Sequence, residues 1–297
     1  MDFITHNATD VASNMRYEAY ALLAAFSFGL NAVLVRKGMR ESTPVTATLM
    51  VAGVQVTILS ALLLFNPPKF NWIAVLYFAL AGFFAAILGR TLNYLSIDRL
   101  GVPISTSLTG TNPIFALILA VLFLGEKVSI ATVLGSLLVV AGIALMSGSG
   151  EGGKISLQNL VIPLASAFFY ACSSAVRKIG LNILPESILG AVVGALTSLI
   201  AYPVILRFMG RTGEFKLSKK AVPWLVGGGI ATSTAWIGMF TATQMGSVSV
   251  TSAIIGANPL FGLILSALLL RESERITKRV AAGSVLIVVA VLIITLF

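Results

Sequence analysis

"GTNPIFALILAVLFLGE" at Gly110–Glu126 and "GANPLFGLILSALLLRE" at Gly256–Glu272 are one pattern written twice. Asn112-Pro113 falls on Asn258-Pro259, Phe115 on Phe261, and Glu126 on Glu272. Working outward, "FSFGLNAVLVRKG" (Phe26–Gly38) matches "AFFYACSSAVRKIG" (Ala167–Gly180), which sets Arg36-Lys37 on Arg177-Lys178. Beyond the first pattern, "GSLLVVA" from Gly135 returns as "GSVLIVVA" from Gly283. The chain is therefore a duplication. Its seam is the glycine-rich "SGSGEGGK" (Ser147–Lys154), almost at the middle. The expected organisation is a tail over 1–16, a first repeat over 17–147, a linker over 148–156 and a second repeat over 157–297.

Composition fixes the environment of both copies. Of 297 residues, 57% are hydrophobic and only 10% charged, against roughly 25% charged in a soluble domain. The apolar residues fall in runs such as "AVLYFALAGFFAAIL" (Ala74–Leu88) and "SVLIVVAVLIITLF" (Ser284–Phe297). About 20 apolar residues in a helix cross the hydrocarbon core, so repeated runs of this length predict a polytopic, all-α membrane protein. Ten spans are expected, near 17–37, 44–65, 71–95, 102–123, 129–147, 157–178, 186–208, 221–244, 248–270 and 278–297. Each copy then has five helices. Five is odd, so the second copy must insert upside down relative to the first. Inverted repeats are typical of secondary transporters, whose substrate site lies near the midplane between the halves.

Several function classes drop out. The only histidine is His6, in the polar tail, and the only cysteine is Cys172, inside an apolar run. A histidine- or cysteine-ligated metal site in the membrane is thereby excluded, and no cofactor is expected. The net charge of +9 lies mostly in turns between spans, where positive loops face cytoplasm and headgroups; no nucleic-acid partner follows from it. All eleven acidic residues fall in tails, loops or span ends. A proton-driven cation pump would use a buried carboxylate, so a facilitator or exchanger is expected. An intramembrane enzyme would need a nucleophile beside a base or paired carboxylates, and none is visible at midspan. The charged loops place both termini outside the cytoplasm.

The paired "NP" helices ending in glutamate, the lysine closing the first helix of each half and the five-plus-five arrangement together resemble the drug/metabolite transporter superfamily. The closest resemblance is to its permeases with duplicated EamA domains. That resemblance covers nearly the whole chain. It implies ten helices around a central cavity, lined by the first, third and fourth helices of each half. It also implies a multi-pass protein of the cell membrane that exports amino acids or other small metabolites, with cytoplasmic termini, against the charge count. A flippase for a lipid-linked intermediate such as a polyprenyl phosphate is the alternative, with Arg90 and Lys37 as candidates to hold the phosphate. The partners expected are a small-molecule substrate and the lipid bilayer, for a monomer or homodimer.

Candidate residues follow from polarity at depth. Pro113 and Pro259 lack an amide hydrogen and crowd the carbonyl four residues earlier, so they are expected to break their helices and act as flexible points. Asn112 and Asn258 put donors and an acceptor at the same depth. Asn31, Asn93, Tyr94, Tyr170, Ser173 and Trp236 are further candidates to line the cavity, with Cys172 and Ser174 beside them. Arg90 marks the pathway if it lies inside the membrane, or snorkels to the headgroups if its span ends first. Lys37 and Lys178 are expected to anchor helix ends. The glycines at 135, 142 and 227–229 read as close helix packing.

Overall fold

The computed structural model describes residues 2–65, 67–147, 157–208, 210, 212–269 and 278–296. In chain order the elements are α1 (Asp2–Met39), α2 (Pro44–Phe65), α3 (Trp72–Gly82), a π-helical segment (Phe83–Gly89), α4 (Arg90–Thr109), α5 (Asn112–Leu124) and α6 (Ile130–Ser147). After the linker come α7 (Leu157–Ile183), α8 (Ser187–Phe208), a 3-10 turn (Thr212–Glu214), α9 (Val222–Met245), α10 (Val248–Ile255), α11 (Asn258–Leu269) and α12 (Lys278–Leu296). No strand occurs among the described residues. Helices suit a bilayer because each satisfies its own backbone amides and carbonyls where water is absent.

Among the described residues, six segments are long and apolar enough to cross a membrane: Tyr17–Met39, Pro44–Phe65, Trp72–Val102, Ser187–Phe208, Val222–Met245 and Val248–Leu269. Large apolar side chains point outward from them, among them Leu64, Phe65, Leu76 and Phe208, as lipid-facing positions must. Local chemistry sets the ends. The Asn71 side chain accepts from the amides of Ile73 (2.9 Å) and Ala74 (3.2 Å), capping α3. Gly125, at φ 62°, closes α5 in the left-handed conformation.

The third segment is longer than the expected 71–95. It runs through the π-helical segment to Val102, and Gly101 (φ 78°, ψ 170°) breaks it near its end. Only glycine adopts that backbone readily. α1 begins at Asp2, ahead of its apolar stretch.

Packing crosses the seam. α1 lies against α9 and α11, α7 against α3, α4 and α5, α2 against α8 and α9, α3 against α8, and α6 against α12. Where α3 meets α8 the backbones touch: a Cβ on Gly82 would stand 2.5 Å from the Gly194 Cα. The central core gathers Leu59 of α2, Phe78 of α3, Trp236 and Phe240 of α9, and Ile254 of α10. Gly142 meets the Gly283 carbonyl, and Gly228 and Gly229 meet Val35 and Val54, so these three pack helices closely.

Candidate functional site

The two Asn-Pro pairs stand where helices restart. α4 ends at Thr109 and α5 begins at Asn112; α10 ends at Ile255 and α11 begins at Asn258. These are the breaks that the two prolines led one to expect. Proline is at home in the first turn of a new helix, since its missing N–H would have no partner there. Close to each break, carbonyls find donors from the turn or the last helical residues. Thr111 N and Oγ1 both donate to the Leu108 carbonyl (3.2 and 2.8 Å), and Gly256 N donates to Ser252 O (2.8 Å). Asn258 lies midway along the Val248–Leu269 segment, so α11 starts deep in the molecule, with Pro259 buried. Pro113 is likewise buried at the start of α5.

Both starts open on one cavity, lined by Gly110 and Asn112 on one side and Gly256 and Asn258 on the other. The structure brings the other expected residues to the same walls, apart from Cys172, which is not among the lining residues. Asn31 bridges three helices: its Nδ2 donates to the Gly228 carbonyl (3.0 Å), and its Oδ1 accepts from Tyr94 Oη (3.2 Å). Asn93 Oδ1 accepts long hydrogen bonds from Ser105 (3.4 Å) and Thr109 (3.5 Å). Tyr170 lies so close to Gly89 that a Cβ there would sit 2.7 Å from its ring. Ser173 lines the cavity yet donates to the Ala81 carbonyl (2.8 Å). Ser198 donates to Ala86 O (3.2 Å) and Ser166 to Gly89 O (2.8 Å). These three serines of α7 and α8 thus serve carbonyls in and beside the π-helical segment, where hydrogen bonding departs from the α pattern.

Arg90 follows that segment directly and points inward. It is 3% exposed; Nη2 donates to Gln55 Oε1 (2.7 Å), and the guanidinium lies 5.5 Å from the Trp236 ring centroid. Snorkelling is ruled out by this burial. Trp236 stacks on Phe240 (5.7 Å), and a second guanidinium, that of Arg177, lies 5.1 Å from the Phe240 ring. Arg177 is 2% exposed, and its Nη2 donates to Ser174 Oγ (3.1 Å). Both arginines line the cavity, and no Asp or Glu does among the described residues. Arg90 Nη1 and Arg177 Nε are buried with no hydrogen-bond partner. Burying an ion costs about several kcal/mol even after the protein relaxes.

Arg177 is the residue the sequence reading missed. Span six was expected to end at 178, placing Arg177 at a helix end, but α7 runs on to Ile183. Lys178 is therefore also inside its helix. Its Nζ donates to the carbonyls of Thr243 (2.9 Å) and Gly246 (2.7 Å), at the end of α9. Lys37 is in the last turn of α1, with Nζ 4.3 Å from the Trp224 ring centroid. Glu126, after α5, accepts from the amides of Val248 (2.8 Å) and Ser249 (3.2 Å) and from Ser249 Oγ (2.7 Å), capping α10. Its repeat partner, Glu272, lies outside the described residues.

A family model for the EamA-like transporter family matches residues 15–148 and again 159–296. The chain belongs to the EamA-like transporter family. Each match spans one copy of the duplication. This EamA-like transporter is 25% identical over 291 residues to an uncharacterized transporter of Archaeoglobus fulgidus, covering 93% of this chain and 96% of the relative. It is also 25% identical over 287 residues to the uncharacterized transporter YvbV of Bacillus subtilis, covering 92% and 90%. A crystal structure of another protein shares the fold at a TM-score of 0.73 and 15% identity, covering 94% of this chain and 96% of that one. The EamA-like transporter is thus a multi-pass membrane protein of the drug/metabolite transporter superfamily, a carrier of small molecules and not an enzyme.

Proposed function

We propose that this transporter is a ten-helix carrier of two inverted five-helix halves, and that it moves small polar metabolites such as amino acids across the plasma membrane by alternating access. It works as a facilitator or exchanger. One observation carries the reading: a single polar cavity receives, from each half, the start of a broken helix bearing asparagine. Discontinuous helices meeting at the substrate site are a recurrent device of secondary transporters. The packing supports the two-fold relation. Exchanging the halves turns the α1–α9 contact into that of α7 with α3 and α4, turns α1–α11 into α7–α5, and leaves α2–α8 and α6–α12 unchanged. The halves then rock about those self-paired contacts, while the helix breaks absorb the bending.

Counterflow in proteoliposomes tests this. Vesicles preloaded with a candidate metabolite should accumulate the labelled compound with no imposed ion gradient. Asn112→Ala with Asn258→Ala should slow exchange about tenfold or more, equivalent to roughly 1.4 kcal/mol, with little change in melting temperature. Full exchange in that double variant removes the asparagines from the mechanism. Flux that strictly follows a proton gradient, and dies with one carboxylate, overturns the facilitator or exchanger reading.

A further inference from the structure

We infer that the substrate carries an oxyanion group, a carboxylate or a phosphate ester, received by Arg90 and Arg177; this deepens the carrier reading above and rests on it. Two arginines, 3% and 2% exposed, share one cavity wall, and no carboxylate stands among its described lining residues. A guanidinium held for structure alone would have its five N–H donors placed on acceptors. Here Arg90 has Gln55 and Arg177 has Ser174, both neutral, while Arg90 Nη1 and Arg177 Nε have no partner. The planar donor fork of arginine matches a carboxylate or phosphate in two parallel hydrogen bonds.

The aromatic stripe fixes both forks. Trp236 and Phe240 stack on one another along α9, and each guanidinium lies over one ring. The helix breaks add to the same field. α5 and α11 begin at the cavity wall with Asn112 and Asn258, and a helix N-terminus carries roughly half a positive charge. Two fixed cations and two helix starts therefore favour dianions over monoanions. Asn112 Oδ1, buried without a partner, adds an acceptor for a hydroxyl or ammonium group of the same molecule. The cavity holds about 80 Å³ on the scale where one water needs roughly 10–15 Å³. That is room for a small metabolite or a headgroup, and too little for a polyprenyl chain.

The test compares ligand classes on the purified full chain by thermal shift, then by counterflow. The probes are inorganic phosphate, a four-carbon dicarboxylate, a hexose phosphate, a zwitterionic amino acid, a quaternary amine and a polyprenyl phosphate. Soluble oxyanions should raise the melting temperature, dianions most, and the quaternary amine should do nothing. Arg90→Gln and Arg177→Gln should each weaken oxyanion binding at least about tenfold, with Arg177→Lys intermediate because it keeps charge but loses the fork. The wild-type comparison of anion with cation stands even if a variant fails to fold. Arginine-dependent binding of polyprenyl phosphate alone upholds oxyanion recognition, assigns its source to lipid and overturns the soluble-metabolite carrier. Binding only of the amine, or oxyanion shifts undiminished in both Gln variants, overturns the inference while counterflow of an uncharged or cationic metabolite keeps the carrier reading alive. Absence of any oxyanion shift in the wild type overturns it as well.

Discussion

Arg36 and Arg177 occupy the same place in the two copies of the repeat, yet they live in different electrostatic worlds. Arg36 is about one-third exposed; its Nη1 lies 3.6 Å from the Asp98 carboxylate and donates to the Asp98 carbonyl at 3.1 Å. Carrying the Asn112-to-Asn258 register back along the chain sets Gln244 where Asp98 stands. Gln244 accepts a hydrogen bond from Ser187 instead, and Arg177 turns inward. The same register sets Trp236 on Arg90, and these two stack against each other. The second copy carries an amide, Gln244, at the register position where the first carries the Asp98 carboxylate, and Arg177 is buried with its Nε unpartnered. An exposed ion pair contributes roughly 0–1 kcal/mol, whereas a buried unpaired charge works against folding. The first copy's arginine is a surface detail and the second's is a commitment.

That contrast can be broken or sharpened by substitution. The largest effect is expected for Arg90→Gln with Arg177→Gln, which should cut oxyanion flux by about a hundredfold or more while removing two uncompensated buried charges. Stability should then hold or rise, because two uncompensated buried charges are removed, read as melting temperature beside counterflow rate. Opposite signs in the two readings are the signature of a binding site that folding alone would not choose. Gln244→Asp, which restores the carboxylate of the first copy, should weaken oxyanion affinity severalfold, seen as a smaller thermal shift at fixed ligand. An unchanged shift would mean that the amide is irrelevant to Arg177. Smallest of all, Arg36→Gln should alter stability by less than about 1 kcal/mol and leave transport unaltered. A large loss of flux there would erase the distinction between the copies.

Much of this was legible in the residues. Apolar runs gave the membrane helices, and the repeated Asn-Pro pattern located the helix starts at the cavity. Asn31, Asn93, Tyr94, Tyr170, Ser173 and Trp236 all reach its walls, because polar groups in hydrocarbon must find each other or backbone. Span ends were harder to read. Helices of a polytopic protein continue past their apolar stretch when neighbours cover the polar turn, as α7 continues to Ile183, so Arg177 looked like an interfacial residue. The π-helical segment has no composition of its own. Carbonyls in and just before it are matched by serines more than 75 residues away in sequence, and nothing local announces that.

The two uncompensated arginines also bear on how the carrier senses voltage. On the reading above, an empty cavity holds two positive charges and a cavity loaded with a dianion holds none. A charge crossing the full bilayer field gains or loses about 2.3 kcal/mol per 100 mV. The loaded step is then blind to membrane potential, while the empty return step feels it in proportion to how far Arg90 and Arg177 travel through the field. Exchange, in which the carrier never returns empty, would run at the same rate at any voltage; net transport would not.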